Sequence, residues 1–269
     1  MKNIKYKILL LSDLKSNSDT ILKTTANLAK KIGGNINLLH VKKPVDIVES
    51  DNQLSSMRTI SRDYLNSKAH IESIIKSVDS DINISYGLTY GNIKQEIEEH
   101  IHKTKPDIIV LGKKKFNTLK IGGDKLTKFI LKKYKGMVLI TSNDNVLSYN
   151  ENLSIGVFNG FEESSIEDIS RNLINLTKKP IKSFKIQKAE DALTKAEDNS
   201  SSKKIVEYIF EPNDNVVKNI SNYMLKNKID LFCIKRDKMD SKGIKTNLGN
   251  IDLNSIMKKV NVSLLLTGQ

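Results

Sequence analysis

The sequence predicts an α/β protein built from two tandem, doubly wound domains, each with a five-stranded, mostly parallel sheet. Short continuous apolar runs alternate with segments of helical periodicity throughout the chain. The chain also resembles itself from one half to the other, and its 269 residues suit two small domains. Because apolar strands that alternate with helices are buried on both faces, the sheets are expected to be parallel.

Three segments recur in the same order in both halves. Residues 27–31 (NLAKK) return as 175–179 (NLTKK), 107–110 (DIIV) as 230–233 (DLFC), and 130–133 with 138–141 as 256–259 with 264–267. We therefore predict one domain over residues 1–145 and a second, shorter and more degenerate domain over 152–269.

The first half contains five strand signals and four helix signals. Strands are predicted over 7–12, 35–41, 82–87, 107–112 and 137–141, and helices over 18–32, 51–78, 92–103 and 125–134. Ser18 is a candidate N-cap, the pair Gly33 and Gly34 ends the first helix, and Pro106 ends the third.

The second half repeats this order from a strand at 154–158 to a strand at 263–267. Its counterpart of the long second helix shrinks to residues 187–203, where a frayed helix or a loop is expected. The last strand of each half is an expected edge strand, whose unpaired backbone favours pairing with another strand.

The composition is basic, with a formal net charge of +13, but the charge is mostly lysine. Only four of the 44 basic residues are arginine, the usual reader of base edges, so nucleic-acid binding is disfavoured. Residues 101–150 carry 11 basic and 3 acidic side chains, which is an excess that could hold an anion. A single cysteine, Cys233, and the lack of an apolar run of membrane-spanning length favour a cytoplasmic protein.

No catalytic or metal-binding constellation is visible, so we expect a protein that is not an enzyme. The sequence has no Gly-x-Ser-x-Gly elbow, no Walker loop and no Gly-x-Gly-x-x-Gly motif. The four histidines (His40, His70, His100 and His102) are interpreted as surface residues. Asp13 follows the first strand, where open α/β sheets bind ligands, and is the best single polar candidate.

The ordered set of these features resembles the universal stress protein family in its tandem form. It comprises Asp13 after the first strand, His40-Val41 at the end of the second, and Gly91-Asn92 before the strand that ends in Gly112. The second half has a matching opening at Phe158-Asn159-Gly160, and its Gly249-Asn250 lies at the family's distance from the last strand. The resemblance implies a fold like that of the adenine-nucleotide α-hydrolases.

Family members that bind ATP hold adenosine with the acid after strand one and the backbone at the end of strand two. The corresponding residues here are Asp13 and Val41. A Gly-x2-Gly-x9-Gly-Ser/Thr segment after strand four cradles the phosphates, because glycine lets backbone N–H groups approach the anion.

This sequence departs from that glycine segment. Gly112 is present, but Lys115 occupies the second glycine position, and Gly122-Gly123-Asp124 arrives two residues early with an acid in place of the hydroxyl. The second half has Lys235 and Lys238 at the early glycine positions and Asn159 for the acid.

Two interpretations of the first half remain open. Lys113 to Lys115 could supply by charge what glycine backbone supplies elsewhere, with Gly122 and Gly123 still allowing a close approach. Alternatively, the loop has lost its ligand. The expected function is a non-catalytic stress-response factor that needs no cofactor and binds ATP or another anion in the first half, or else a ligand-free protein-interaction module. A weak ATP hydrolase is the third alternative.

The family also forms dimers through its last strand. The resemblance therefore implies an internal pseudo-dimer, with the two last strands related by a pseudo-twofold axis. A homodimer of the whole chain is a further alternative, and the identity of any protein partner is left open.

Overall fold

The computed structural model describes residues 6–15, 17–43, 53–78, 81–113, 125–142, 146–147, 152–158, 168–187, 204–240, 243–246 and 253–268. The chain divides into two compact units, Met1–Gly112 and Lys113–Gln269. The helix and strand that end the first sequence repeat therefore belong to the second unit. The predicted domain boundary, between residues 145 and 152, concerns the repeats and stays a prediction.

The first unit is a parallel sheet covered by helices. Its elements are β1 (Tyr6–Leu11), α1 (Ser18–Ile32), β2 (Gly34–Lys42), α2 (Gln53–Lys76), β3 (Ile84–Tyr90), α3 (Ile93–Thr104) and β4 (Ile108–Gly112). The strand order is β3-β2-β1-β4, with every neighbouring pair parallel. β1 and β4 supply nearly continuous buried apolar residues, as expected for central parallel strands.

The helix boundaries follow the predicted signals with one exception. Gly33 ends α1 in the left-handed conformation, with φ 75°, and donates its N–H to Ala29. Asn92 caps α3 by accepting hydrogen bonds from the backbone N–H groups of the second and third helical residues. The expectation of Ser18 as an N-cap was wrong, because Asn17 is the cap residue and Ser18 is the buried first residue of α1.

The second unit contains the rest of the chain. Its elements are α4 (Lys125–Lys133), β5 (Met137–Thr141), β6 (Ile155–Phe158), α5 (Asp168–Leu176), β7 (Ile181–Ile186), β8 (Ile205–Phe210), α6 (Val216–Lys226), β9 (Leu231–Asp240), β10 (Gly243–Thr246), α7 (Leu253–Lys259) and β11 (Ser263–Thr267). The strand order is β5-β11-β9-β6-β7-β8, and β10 pairs with β9. The five strands from β11 to β8 are parallel, which confirms the predicted five-stranded parallel sheet in this repeat.

The expected pairing of the last strands is also confirmed. β5 and β11 pair antiparallel, with Leu139 opposite Leu265. Ile140 lies opposite Leu264, and Val138 lies opposite Leu266. Because 138–140 and 264–266 are repeat counterparts, this register is symmetric about its centre, so the pair itself has a local twofold axis. The expected frayed segment at 188–203 lies outside the described residues.

Candidate functional site

The carboxyl ends of β1, β2 and β4 bring three of the predicted site residues to one edge of the first sheet. Leu11, at the end of β1, lies opposite Leu39 in β2 and Leu111 in β4. Continuing these parallel registers places Asp13 level with Val41, and Ser12 level with Gly112. β2 continues past the end of β1, where Val41 pairs only with β3 among the described strands. The edge between β1 and β4 is the point where the strand order reverses, which is the usual ligand position in such sheets.

Asp13 lies in a tight turn after β1 and is exposed. Its Oδ1 accepts a hydrogen bond from the backbone N–H of Lys15 at 3.2 Å, and its Oδ2 has no partner among the described residues. Leu14 has φ 54°, which is a strained conformation for a residue with a branched side chain. The turn is held by Ser12, whose Oγ accepts from the N–H of Leu14 at 3.2 Å. The turn therefore holds an exposed carboxylate at this edge of the sheet.

His40 is the part of this edge that the sequence analysis misread. It is only 4% exposed, so its interpretation as a surface histidine was wrong. Its Nδ1 donates to the carbonyl of Ser12 at 2.7 Å, while its buried Nε2 has no hydrogen-bond partner. Burial lowers the pKa of His40, against the opposing effect of the Ser12 hydrogen bond. The neutral imidazole thus fixes the backbone that leads to Asp13, and the buried apolar stretch around it was the available signal.

Gly112 has a packing role that is independent of any ligand. A Cβ atom at this position would lie 2.3 Å from Cδ1 and 3.3 Å from Cγ1 of the Ile21 side chain in α1. Ordinary carbon–carbon contacts are about 3.5–4.0 Å. The glycine at the end of β4 therefore leaves room for the Ile21 side chain of α1, which would have to shift if this residue carried a Cβ atom.

A polar cluster ties α2 to the same edge of the sheet. Asp63 accepts from Nζ of Lys42 at 2.5 Å and from the hydroxyl of Tyr90 at 3.0 Å. Burial alone would raise the pKa of Asp63, but these two hydrogen bonds leave it below its usual range. Burial and the Asp63 carboxylate raise the pKa of Tyr90 to about 12. The ammonium of Lys42 is thus neutralised within the fold.

Lys113, another predicted site residue, is engaged within the second unit. Its ammonium donates to the carbonyl of Val260 at 2.5 Å and lies 3.4 Å from Oδ1 of Asn261. Its backbone N–H donates to the carbonyl of Thr141 at 3.1 Å. The remaining predicted site residues (Lys115, Gly122, Gly123 and Asp124) lie outside the described residues.

The corresponding edge of the second repeat has a different backbone. β9 continues past its sheet neighbours and forms a hairpin with β10, with Gly243 opposite Asp240. The segment that carries Lys235 and Lys238 is thus extended strand.

Equivalent hydrogen bonds at the start of the first strand of each repeat give Asp13 a different counterpart from the one expected. Asp107 Oδ2 accepts from the N–H of Lys7, and Asp230 Oδ2 accepts from the N–H of Ser154, each at 2.7 Å. Counting six residues on from Lys7 and from Ser154 aligns Asp13 with Gly160, one residue beyond the expected Asn159. Neither residue is an acid, so the second repeat lacks the carboxylate in either alignment.

Two negative findings concern the described residues. They contain no group of three His, Cys, Asp or Glu side chains that could hold a metal ion. None of the described helices has the length and apolarity needed to cross a membrane.

Comparisons with known proteins agree with this fold. The model of the universal stress protein family matches residues 6–140. A universal stress protein of Archaeoglobus fulgidus DSM 4304 is 14% identical, with a TM-score of 0.69, and the match covers 97% of this chain and 98% of that one. A functionally unknown protein of Pseudomonas aeruginosa PAO1 is 13% identical, with a TM-score of 0.58, and the match covers 97% of this chain and 92% of that one.

At these identities the structural likeness shows the fold alone, whereas the family model matches half of the sequence. None of the curated proteins matches the chain. The chain belongs to the universal stress protein family, in a tandem form.

Proposed function

We propose that this chain is a non-catalytic stress-response factor with one binding site for ATP or another adenine nucleotide, at the carboxyl edge of the first repeat. The observation that carries the proposal is the register of β1, β2 and β4, in which Leu11 lies opposite Leu39 and Leu111, so that its continuation brings Asp13 level with Val41 and Ser12 level with Gly112. The exposed carboxylate of Asp13 is a suitable acceptor for a ribose hydroxyl. The backbone of β2 beyond the end of β1 offers peptide groups to a base edge.

The phosphate end of this site depends on residues at and after the end of β4. Lys113 donates to Val260, and Gly112 is already explained by its packing on Ile21. In this proposal the phosphates contact the segment that carries Lys115, Gly122, Gly123 and Asp124, which lies outside the described residues. The local lysine excess of residues 101–150 supplies the attraction for the anion.

The second repeat is proposed to bind no nucleotide. Its strand-four segment forms the β9–β10 hairpin, and both candidates for its strand-one acid are uncharged. A backbone paired within a hairpin donates its N–H groups to the other strand and offers fewer of them to a phosphate. The proposed stoichiometry is therefore one nucleotide per chain.

A ligand-free interaction module is the second candidate. It is favoured by the engagement of Lys113 with Val260, which removes one cation from the proposed anion site. In this alternative the fold is retained for protein contacts, and a weak ATP hydrolase is the least supported alternative. The single cysteine continues to favour a reducing, cytoplasmic location.

Denaturing extraction of the purified protein, followed by mass spectrometry, tests the proposal directly. One adenine nucleotide per chain is the expected result. Two per chain would contradict the proposed loss of the second site. If no nucleotide is released and added ATP causes no thermal shift, the interaction module becomes the better explanation.

Substitution of Asp13 tests the proposed contact. Asp13→Ala is expected to abolish ATP binding, measured by calorimetry, and Asp13→Asn to weaken it. Asp214→Ala is the matched control, because Asp214 is an exposed acid of the second unit. Equal ATP affinity in Asp13→Ala and in the control would remove Asp13 from the site.

A further inference from the structure

Among the described residues of the second unit, the cation Arg236 is buried and only 1% exposed. Its Nε donates to the carbonyl of Thr267 at 3.0 Å. Its Nη1 donates to the carbonyls of Leu131 and Tyr134, and its Nη2 to those of Lys135 and Gly136. These five hydrogen bonds match the five N–H groups of a guanidinium.

The five carbonyl acceptors of Arg236 come from two parts of the fold. Four of them form the last turn of α4 and the connection from α4 to β5, and the fifth is the last residue of β11. Carbonyls at a helix C-terminus lack intrahelical donors and carry a partial negative charge. Arg236 therefore acts as a C-terminal cap for α4, and it also contacts the strand that pairs with β5.

The sequence repeat gives Arg236 a counterpart. It lies six residues after Asp230, and Lys113 lies six residues after Asp107. Lys113 donates to the carbonyl of Val260, the residue that follows α7. Val260 is the repeat counterpart of Tyr134, because 130–133 matches 256–259. The cation six residues after the equivalent aspartate of each repeat, Asp107 or Asp230, thus caps the last helix of the other repeat.

We infer that Arg236 and Lys113 form a reciprocal clamp that holds the β5–β11 pair together, with Arg236 as the principal positioning residue. In this clamp, Lys113 and Arg236 have a structural role in place of a ligand-binding one. The clamp also makes both last strands depend on residues of the opposite repeat.

The chemistry of the two cations explains their unequal roles. A guanidinium presents donors in a rigid fork that can reach several carbonyls at once, whereas an ammonium is a compact point charge on a flexible stem. Arg236 is fully buried, and Lys113 is half-buried with one short hydrogen bond to a carbonyl. Removal of Arg236 leaves five carbonyls without this donor, of which that of Leu131 is buried and the others are partly buried, while removal of Lys113 affects one partly buried carbonyl.

Hydrogen exchange on the full-length protein tests this inference. In Arg236→Met, amide protection in β5 and β11 is expected to fall by about 100-fold, and the melting temperature by about 10 °C. Protection in β1 and β2 of the first unit should change far less. Arg236→Lys should give an intermediate loss, since an ammonium replaces only part of the fork. This variant keeps the test valid if Arg236→Met does not fold.

Two further variants are compared with the Arg236 variants. Lys113→Met is expected to lower protection in β11 by no more than about fivefold, in line with a half-buried pair. Lys235→Met removes an exposed neighbouring cation and should leave β5 unchanged. If Arg236→Met and Arg236→Lys both leave the protection of β5 at its wild-type value, the inference fails. It also fails if Lys235→Met lowers protection as much as Arg236→Lys.

Discussion

The contact between Gly112 and Ile21 provides a test of whether the glycine at the end of β4 is needed for packing. In Gly112→Ala, the new methyl group would lie 2.3 Å from Cδ1 of Ile21, an overlap of more than 1 Å. Ile21 is buried and cannot move into solvent. Overpacking of this kind costs about 1–3 kcal/mol in the free energy of unfolding.

The companion substitution, Ile21→Val, removes the clashing Cδ1 atom. Alone it should cost about 0.5–1.5 kcal/mol, as shortening of a buried isoleucine usually does. In the double variant the alanine methyl occupies the space that Cδ1 has left. The nearest remaining atom, Cγ1 at 3.3 Å, needs only a small shift. The double variant should therefore be about 1–2 kcal/mol more stable than the sum of the single losses predicts.

Urea unfolding of the wild type, the two single variants and the double variant measures this coupling. Independent sites add within about 0.3–0.5 kcal/mol. Additive losses would therefore refute the packing explanation for Gly112. If the two losses are not additive and the melting temperature of the double variant still rises on addition of ATP, the glycine is dispensable for nucleotide binding.

Three other predictions concern stability. Because burial lowers the pKa of His40, the unfolded state takes up a proton below about pH 6.5 before the native state does, so stability should fall as pH decreases from 7. His40→Asn, which keeps a donor for Ser12, should flatten this dependence in urea melts at several pH values. Tyr90→Phe removes the hydrogen bond to Asp63 and should cost about 0.5–1.5 kcal/mol in chemical denaturation. Leu139→Ala, at the fully buried centre of the β5–β11 pair, should cost about 2–5 kcal/mol by calorimetry.

Local signals predicted most of the regular structure. α1 ends at Gly33 because a left-handed residue is needed there, and glycine adopts that conformation without a Cβ penalty. β5 was predicted over its observed residues, since a continuous apolar run before a short polar connection favours a buried strand. Such signals depend on a few neighbouring residues, so they can be read from the sequence without knowledge of the fold.

The roles of His40 and Arg236 could not be predicted in the same way. His40 is buried because its donor meets the carbonyl of Ser12, 28 residues away in the sequence. Arg236 is buried where the carbonyls of Tyr134 and Lys135, which follow α4 about 100 residues earlier in the sequence, accept its hydrogen bonds. From the sequence, His40 was interpreted as a surface residue and Arg236 was given no role, and arginine is mostly exposed in proteins. Only tertiary contacts reverse that expectation. The available signals were the repeat alignment with Lys113 for Arg236 and the surrounding apolar stretch for His40.

The differences between equivalent positions follow from the covalent linkage of the two repeats. In a symmetric homodimer, one sequence must serve both sides of the interface, so each position has the same residue twice. A tandem chain has no such constraint. Here the paired positions Lys113 and Arg236 both cap a helix, but only Arg236 is fully buried. At the other paired position, the first repeat has Asp13 and the second has Gly160. One copy can therefore strengthen the interface while the other retains an acid at the sheet edge, and loss of Arg236 should affect β5 without affecting the turn that carries Asp13.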